Sequence, residues 1–171
     1  MALTLVEKAI GGNKKAIKEL AKRDSKFIYK LAFLHTKYEG DAKIILKNTI
    51  LFIHKNIRKI PKHKNYDYYL MKVTIKHIKE YLDEFGMVQN HIEAIYTTGH
   101  STKIDLYESI DILDIYLKSA VILRYFYNMS YEDIGNVLEI KENTVKMYIR
   151  KSLKIMQCEL KEDFHYEREA R

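Results

Sequence analysis

The chain has 171 residues, 47% of them hydrophobic, with a net charge of +7 and a sequence pI of about 9.2. That composition is enough to build a core and excludes a wholly disordered chain, and a single cysteine excludes an internal disulfide. No stretch approaches the roughly 18 uncharged apolar residues of a membrane span, the opening MALTLVEKAIGG does not read as a signal peptide, and no Cys/His group has zinc-ligand spacing.

Cytoplasmic localisation is the expectation. No cofactor or metal is expected, and no enzymatic role, because the sequence has no Gly-rich phosphate loop or nucleophile motif. With one Pro and six Gly there are few helix breakers, so the predicted fold is all-α. Charge is unevenly spread. Residues 1–82 hold 19 Lys/Arg against 7 Asp/Glu, residues 83–116 hold 1 against 7, and residues 117–171 hold 10 against 9. The basic front suggests a polyanion partner, and a solvated lysine-rich surface is the plainer alternative.

In chain order, Leu3, Val6, Ala9 and Ile10 predict a short first helix ended by Gly11-Gly12. Asn13 is placed to cap a second helix, which carries apolar residues from Ile17 to Leu34 and runs to about Thr36. Gly40 is read as a break and Asp41 as the cap of a third helix containing Ile44, Ile45, Ile50, Leu51, Ile53 and Ile57. The third helix is expected to end before Pro61, and the basic loop IPKHKN follows. A fourth helix is predicted from about Tyr66 to Leu82. Residues 83–110 turn acidic and include the loop signal TTGHST, so they read as a linker between two helical domains.

Beyond the linker, Leu113, Leu117, Val121, Ile122 and Phe126 predict a helix stopping near Asn128. Ser130 is placed to cap a short helix ending at Leu138, and a last helix starts near Lys141 and runs to about Leu160. These two have helix-turn-helix lengths. Apolar residues recur at Ile134, Val137, Leu138 and Ile140 and then at Val145, Ile149 and Leu153, and of these Ile134, Leu138, Ile140, Val145 and Ile149 are read as packing inward. Glu142, Asn143, Lys146, Met147, Arg150 and Lys154 face outward, where they can reach bases and phosphates in a major groove. An ordinary helical hairpin with a charged face satisfies the same pattern.

A longer set of residues resembles a known family. Leu123-Arg124-Tyr125-Phe126, Ser130-Tyr131-Glu132-Asp133-Ile134 and Thr144-Val145-Lys146, followed by Ile149, Arg150 and Lys151, resemble region 4 of bacterial RNA polymerase sigma factors of the extracytoplasmic-function type. Gly12-Asn13-Lys14-Lys15-Ala16-Ile17-Lys18-Glu19-Leu20, Ile28-Tyr29-Lys30-Leu31-Ala32 and Gly40-Asp41-Ala42 are similar to region 2 of the same family. The chain departs from the family pattern at Glu139, where Gly is usual, at Lys141, where a Ser-like cap is usual, and at Asp114, where a Leu-Pro pair is common.

The resemblance implies two small helical domains, region 2 in residues 1–83 and region 4 with a C-terminal tail in residues 111–171, joined by the acidic linker 84–110. It implies an alternative sigma factor that directs core RNA polymerase to promoter DNA. Lys141, Glu142, Asn143, Thr144, Lys146, Met147, Arg150, Lys151 and Lys154 would serve the −35 element. Lys62, His63, Lys64, Asn65, Tyr66, Tyr69, Lys72 and Lys76 would serve the −10 element, the loop 62–66 catching a flipped base and Tyr69 standing where the family has Trp.

The third helix would bind the polymerase clamp helices through Asp41, Lys47, Asn48, Leu51, Phe52 and Lys55, with region 4 on the flap. Three family positions on that helix are changed here to Ile44, Lys47 and Asn48. A divergent subgroup such as the clostridial toxin-gene sigma factors, a partner-dependent factor or an inactive copy would each account for this. An anti-sigma factor is the other implied partner. The alternative function is a stand-alone helix-turn-helix regulator, which would need to dimerise on half-sites.

Overall fold

The computed structural model describes residues 4–60, 65–85 and 109–169, with side chains described as far as Glu159. The described residues are helical with no strand, and the chain divides into two compact units, Met1–Tyr81 and Leu82–Arg171. Among the described residues no helix is long and apolar enough to cross a membrane.

In the first unit, α1 spans Leu5–Ile10, α2 Lys14–Thr36, α3 Glu39–Asn56 and α4 Tyr66–Phe85. A 3₁₀ turn, Ile57–Lys59, closes α3. Local chemistry sets these limits. Thr4 and Glu7 form a capping box on α1. At its other end Gly12 takes φ +88, and the Gly12 and Asn13 amides return to the Ala9 and Lys8 carbonyls. Asn13 Oδ1 then accepts from the Ala16 amide at 3.0 Å and starts α2, as its side chain predicts.

The break between α2 and α3 differs from expectation. Lys37 takes the left-handed conformation, φ 61, and its amide closes on the Phe33 carbonyl. Tyr38 precedes α3, so Gly40 lies inside the first turn and Asp41 is not a cap. A non-glycine residue held left-handed by the packing of α2 on α3 has made the turn that the sequence suggested glycine would make.

The core of the unit gathers Ala9, Leu20, Ile28, Ile53, Ile57, Leu70 and Val73 from all four helices. Each large aliphatic side chain buried there contributes about 1.5–3 kcal/mol. Long-range polar bonds fix α4 against the other helices. The Tyr66 hydroxyl donates to Asp24 on α2, and the Tyr81 hydroxyl donates to Asp41 Oδ1 on α3 at 2.9 Å.

The second unit contains α5, Ile115–Val121, continuing as a π-helical turn Ile122–Phe126, then α6, Tyr131–Leu138, and α7, Glu142–Glu169. Asp114 caps α5 by accepting from the Tyr116 and Leu117 amides, both at 3.0 Å. Ser130 caps α6 as expected, its Oγ accepting from the Asp133 amide at 3.0 Å. The backbone of α7 continues past the expected end near Leu160 to Glu169, through a stretch with no Gly or Pro to break it.

The inward line on α7 contains the expected Val145 and Ile149 and extends beyond them. Leu153 is exposed, while Val145, Ile149, Ser152 and Met156 are buried. A spacing of four, three and four keeps those residues on one line of a 3.6-residue helix, and Leu153 falls off it. Ser152 is accommodated because its hydroxyl donates to the Tyr148 carbonyl at 2.8 Å. On α6, Ile134 and Val137 are buried and Leu138 partly so, and Ile140 in the turn that follows is also partly buried.

Candidate nucleic-acid interface

The turn between α6 and α7 brings the two helices into close contact. A Cβ on Gly135 would meet the Ile140 carbonyl oxygen at 2.7 Å, so only glycine fits that approach. Glu139 takes φ 57, ψ 39, and its amide bonds back to the Gly135 carbonyl. Glycine is the unstrained choice for this left-handed position. The Lys141 carbonyl accepts from the Thr144 and Val145 amides at 2.8 and 3.1 Å, so its backbone, not its cationic side chain, opens α7.

With Val145 and Ile149 buried, the opposite side of α7 faces out. Lys141, Glu142, Asn143, Met147, Arg150, Lys151 and Lys154 are exposed, and Thr144 and Lys146 are half-buried. Asn143, Lys146, Met147, Arg150, Lys151 and Lys154 line one open, shallow concavity. Met147, 55% exposed, puts an apolar tip among these polar groups. All nine residues predicted for duplex reading therefore fall on or beside one helical face.

Lys146 is more constrained than the sequence suggests. Its Nζ sits 2.6 Å from Glu142 Oε1 and 5.8 Å from the centre of the Tyr131 ring. Arg124 lies over the same ring at 4.8 Å and donates to the Met129 carbonyl at 2.7 Å. The Tyr131 ring, between Arg124 and Lys146, thus ties the π turn to α6 and α7 through cation–π contacts. The resemblance motif contains both residues, but nothing in their spacing marks them as partners.

The second group of predicted residues is divided. Lys62, His63 and Lys64 lie outside the described residues. Asn65 Oδ1 accepts from the Asp67 amide at 3.0 Å, and its carbonyl accepts from the Tyr69 amide at 3.1 Å, so Asn65 opens α4. Tyr66 is 6% exposed and packed in the core, which removes its ring from any surface on which a base could stack. Its hydroxyl donates to Asp24 Oδ2 at 2.5 Å, and the Arg23 guanidinium lies 5.5 Å over its ring. Arg23 also pairs with Asp24 at 2.8 Å and Asp67 at 3.2 Å.

Burial pushes the Asp24 carboxyl up, against the opposing pull of Tyr66 and Arg23, and burial beside Asp24 pushes the Tyr66 phenol far up. Tyr69 and Lys72 are half-buried, and Tyr69 packs against the core with its phenol raised by burial. Lys76 is exposed, 3.6 Å from Glu80.

The third group lies on α3. Lys47, Asn48, Leu51, Phe52 and Lys55 are all exposed, Leu51 by 56%, and Ile44 joins them one turn earlier. Asp41 does not belong to this face: its carboxylate turns toward the Tyr81 hydroxyl. Beneath the stripe, Thr49 and His77 share a hydrogen bond at 2.9 Å, and the Phe52 ring meets His77 edge-on at 5.2 Å. Burial lowers the pKa of His77. Among the described residues no cluster of His, Cys, Asp and Glu could hold a metal ion.

A family model described as Sigma-70, region 4 matches residues 103–156, which contain the helix-turn-helix. The RNA polymerase sigma factor SigV of Bacillus subtilis (strain 168) is 25% identical over 142 residues, covering 79% of this chain and 86% of that protein. Two solved structures share the fold at 16% identity. CnrH in complex with the cytosolic domain of CnrY superimposes with a TM-score of 0.72 over 93% of this chain and 96% of that one. The sigma factor RpoE in complex with the anti-sigma factor NepR from Bartonella quintana does so with a TM-score of 0.66 over 86% of this chain and 98% of that one.

Proposed function

We propose that the chain is a divergent RNA polymerase sigma factor of the extracytoplasmic-function type, which directs core polymerase in the cytoplasm to promoters whose −35 element is read by α7 and whose −10 element is melted by the first unit, a reading supported by its likeness to sigma-70 region 4 and to SigV. The observation that carries this reading is the outward face of α7. Its cationic and polar side chains share one exposed concavity, inside the segment that matches sigma-70 region 4.

On that face, Arg150 and Asn143 have the donor geometry for base edges, and Lys151 and Lys154 that for phosphates. Residues 1–83 and 111–171 act as the two working domains and 84–110 as their linker. Melting needs no covalent chemistry. A base leaving the stack costs a few kcal/mol, and stacking on an aromatic ring returns about 1–3 kcal/mol. Tyr69 is the ring assigned to that task, with Lys62, His63, Lys64 and Asn65 on the preceding loop and Lys72 and Lys76 on the backbone. Tyr66, being core, holds α4 in place.

The exposed α3 stripe is the contact for the polymerase clamp helices, with Leu51 and Phe52 supplying apolar area and Ile44 extending it at a position where the family has Asp. The second unit takes the flap. An anti-sigma factor is the regulator, a reading supported by relatives solved with CnrY and NepR.

Reconstitution tests this. Core polymerase plus the chain should start RNA from a matched promoter that core alone ignores, and Leu51→Asp should abolish co-purification with core. If the chain never captures core, with or without a co-expressed helper, and instead binds palindromic sites as a dimer, the reading fails and the stand-alone regulator replaces it.

A further inference from the structure

The outer face of α2 has no part in the surfaces assigned above. Lys14, Lys18, Lys22, Lys26 and Lys30 recur at every fourth residue, with Lys15 beside the first, and all six are exposed. Helical rise spaces the series by about 6 Å per step over roughly 24 Å, and because four residues overshoot a turn by about 40°, the row winds by about 160° around the solvent side of α2. The buried residues of α2 around it, Leu20, Asp24, Ile28 and Leu31, point the other way, and Glu19 is the one acid on the lysine side. Lys14, Lys15, Lys18, Lys22 and Lys26 make no ion pair among the described residues.

This arrangement works against the helix in isolation. The first turn of α2 holds no acid and two lysines, at the end where the helix dipole disfavours cations. Like charges four residues apart repel along the whole length. A polyanion laid on the face removes both penalties together.

The chemistry of the face selects the polyanion. Lysine ammonium groups are flexible point charges without the fixed fork that arginine offers to carboxylates. The face has no Asn, Gln or Arg to read a base edge, since the nearby Arg23 is engaged by Asp24 and Asp67. It offers no open aromatic platform for a single strand, because Tyr29 and Phe33 at its far end stack on each other at 6.1 Å. A duplex carries a charge every 1.7 Å of axis, roughly 14 phosphates over this length.

We propose that the lysine face of α2 is a sequence-independent docking surface for the phosphate backbone of duplex DNA, separate from the reading face of α7. It goes beyond promoter recognition, since it requires neither polymerase nor a matched sequence.

The test is fluorescence anisotropy of the full chain on a labelled duplex of arbitrary sequence across a salt series, comparing wild type with a triple variant carrying Lys18→Gln, Lys22→Gln and Lys26→Gln. Three lost phosphate contacts should make the slope of log K against log salt shallower by about 2.7, at about 0.9 each. The thermal midpoint of the triple variant should be unchanged or higher, because repulsion has been removed. A slope that changes by less than one contact overturns the proposal. So does a loss confined to single-stranded DNA or to polyglutamate with duplex affinity intact.

An α7 variant with Arg150→Gln and Lys151→Gln keeps the two readings apart. If it alone loses duplex affinity, the α2 surface is wrong and promoter reading stands. If the triple variant loses affinity while wild type fails to start RNA with core, the α2 surface stands and the sigma function fails.

Discussion

Tyr66 and Asp24 form a bond 42 residues apart in sequence, between a hydroxyl and a carboxylate that is 2% exposed. Deleting the hydroxyl leaves a buried acceptor short of a partner, so Tyr66→Phe should cost about 1–3 kcal/mol in urea unfolding. The same carboxylate makes stability depend on pH. Its folded pKa lies above the unfolded value of 3.8, so the folded chain holds the proton more tightly. That contribution is complete below the unfolded value and is lost as pH rises through the raised one. Asp24→Asn, which does not titrate, should therefore gain on wild type as pH rises above the ordinary carboxylate value, and a difference between the two that stays constant with pH across urea melts would sink the argument. At Glu139 the left-handed backbone sets the expectation. Glu139→Gly should stabilise the second unit by about 1 kcal/mol, read as a higher urea midpoint at unchanged slope.

At the scale of elements, α5 shows how the acidic stretch 83–116 divides into parts. Two of its acids are structural: Asp114 caps α5, and Asp111 meets Lys118 Nζ at 2.6 Å. Lys118 is itself buried, because α5 is enclosed on nearly every side from Leu117 to Leu123. Breaking a buried pair usually costs about 3–5 kcal/mol, and the 23% exposure of Asp111 puts this one at the lower end. Lys118→Met should thus cost about 3 kcal/mol, and adding Asp111→Asn should restore much of it. A double-mutant cycle by chemical denaturation measures the coupling, and simple additivity would show that the pair does not matter. The π turn that follows α5 places Arg124 over Tyr131, so α6 rests on it, and Lys146 of α7 meets the same ring.

For the whole molecule, the proposed division of labour predicts two separable defects. Arg150→Ala on α7 should weaken binding to a closed duplex promoter by about 1–3 kcal/mol, and opening the −10 region in advance should not rescue it. Tyr69→Ala should bind the closed promoter normally and open it poorly, and a pre-melted template should restore its transcription. Permanganate footprinting and run-off transcription with reconstituted holoenzyme check both. If a pre-melted template rescued Arg150→Ala and left Tyr69→Ala defective, the assignment of the two units would be reversed.

Helix positions were legible because their signals are local. Asn13 and Ser130 cap within three residues, the Gly11-Gly12 pair ends α1 within two, and the solvent face of α7 follows from periodicity alone. What the sequence left open involved partners far along the chain. Tyr66 looked like a surface ring until α2 supplied Asp24, and Asp41 looked like a cap until α4 supplied Tyr81. Ser152, a polar residue, lies on the inward line of α7 while its apolar neighbour Leu153 stays outside, since the Ser152 hydroxyl is satisfied by its own helix. Propensity and capping act over a turn or two of helix. Burial is decided by which distant helix arrives, and only the packed chain contains that information.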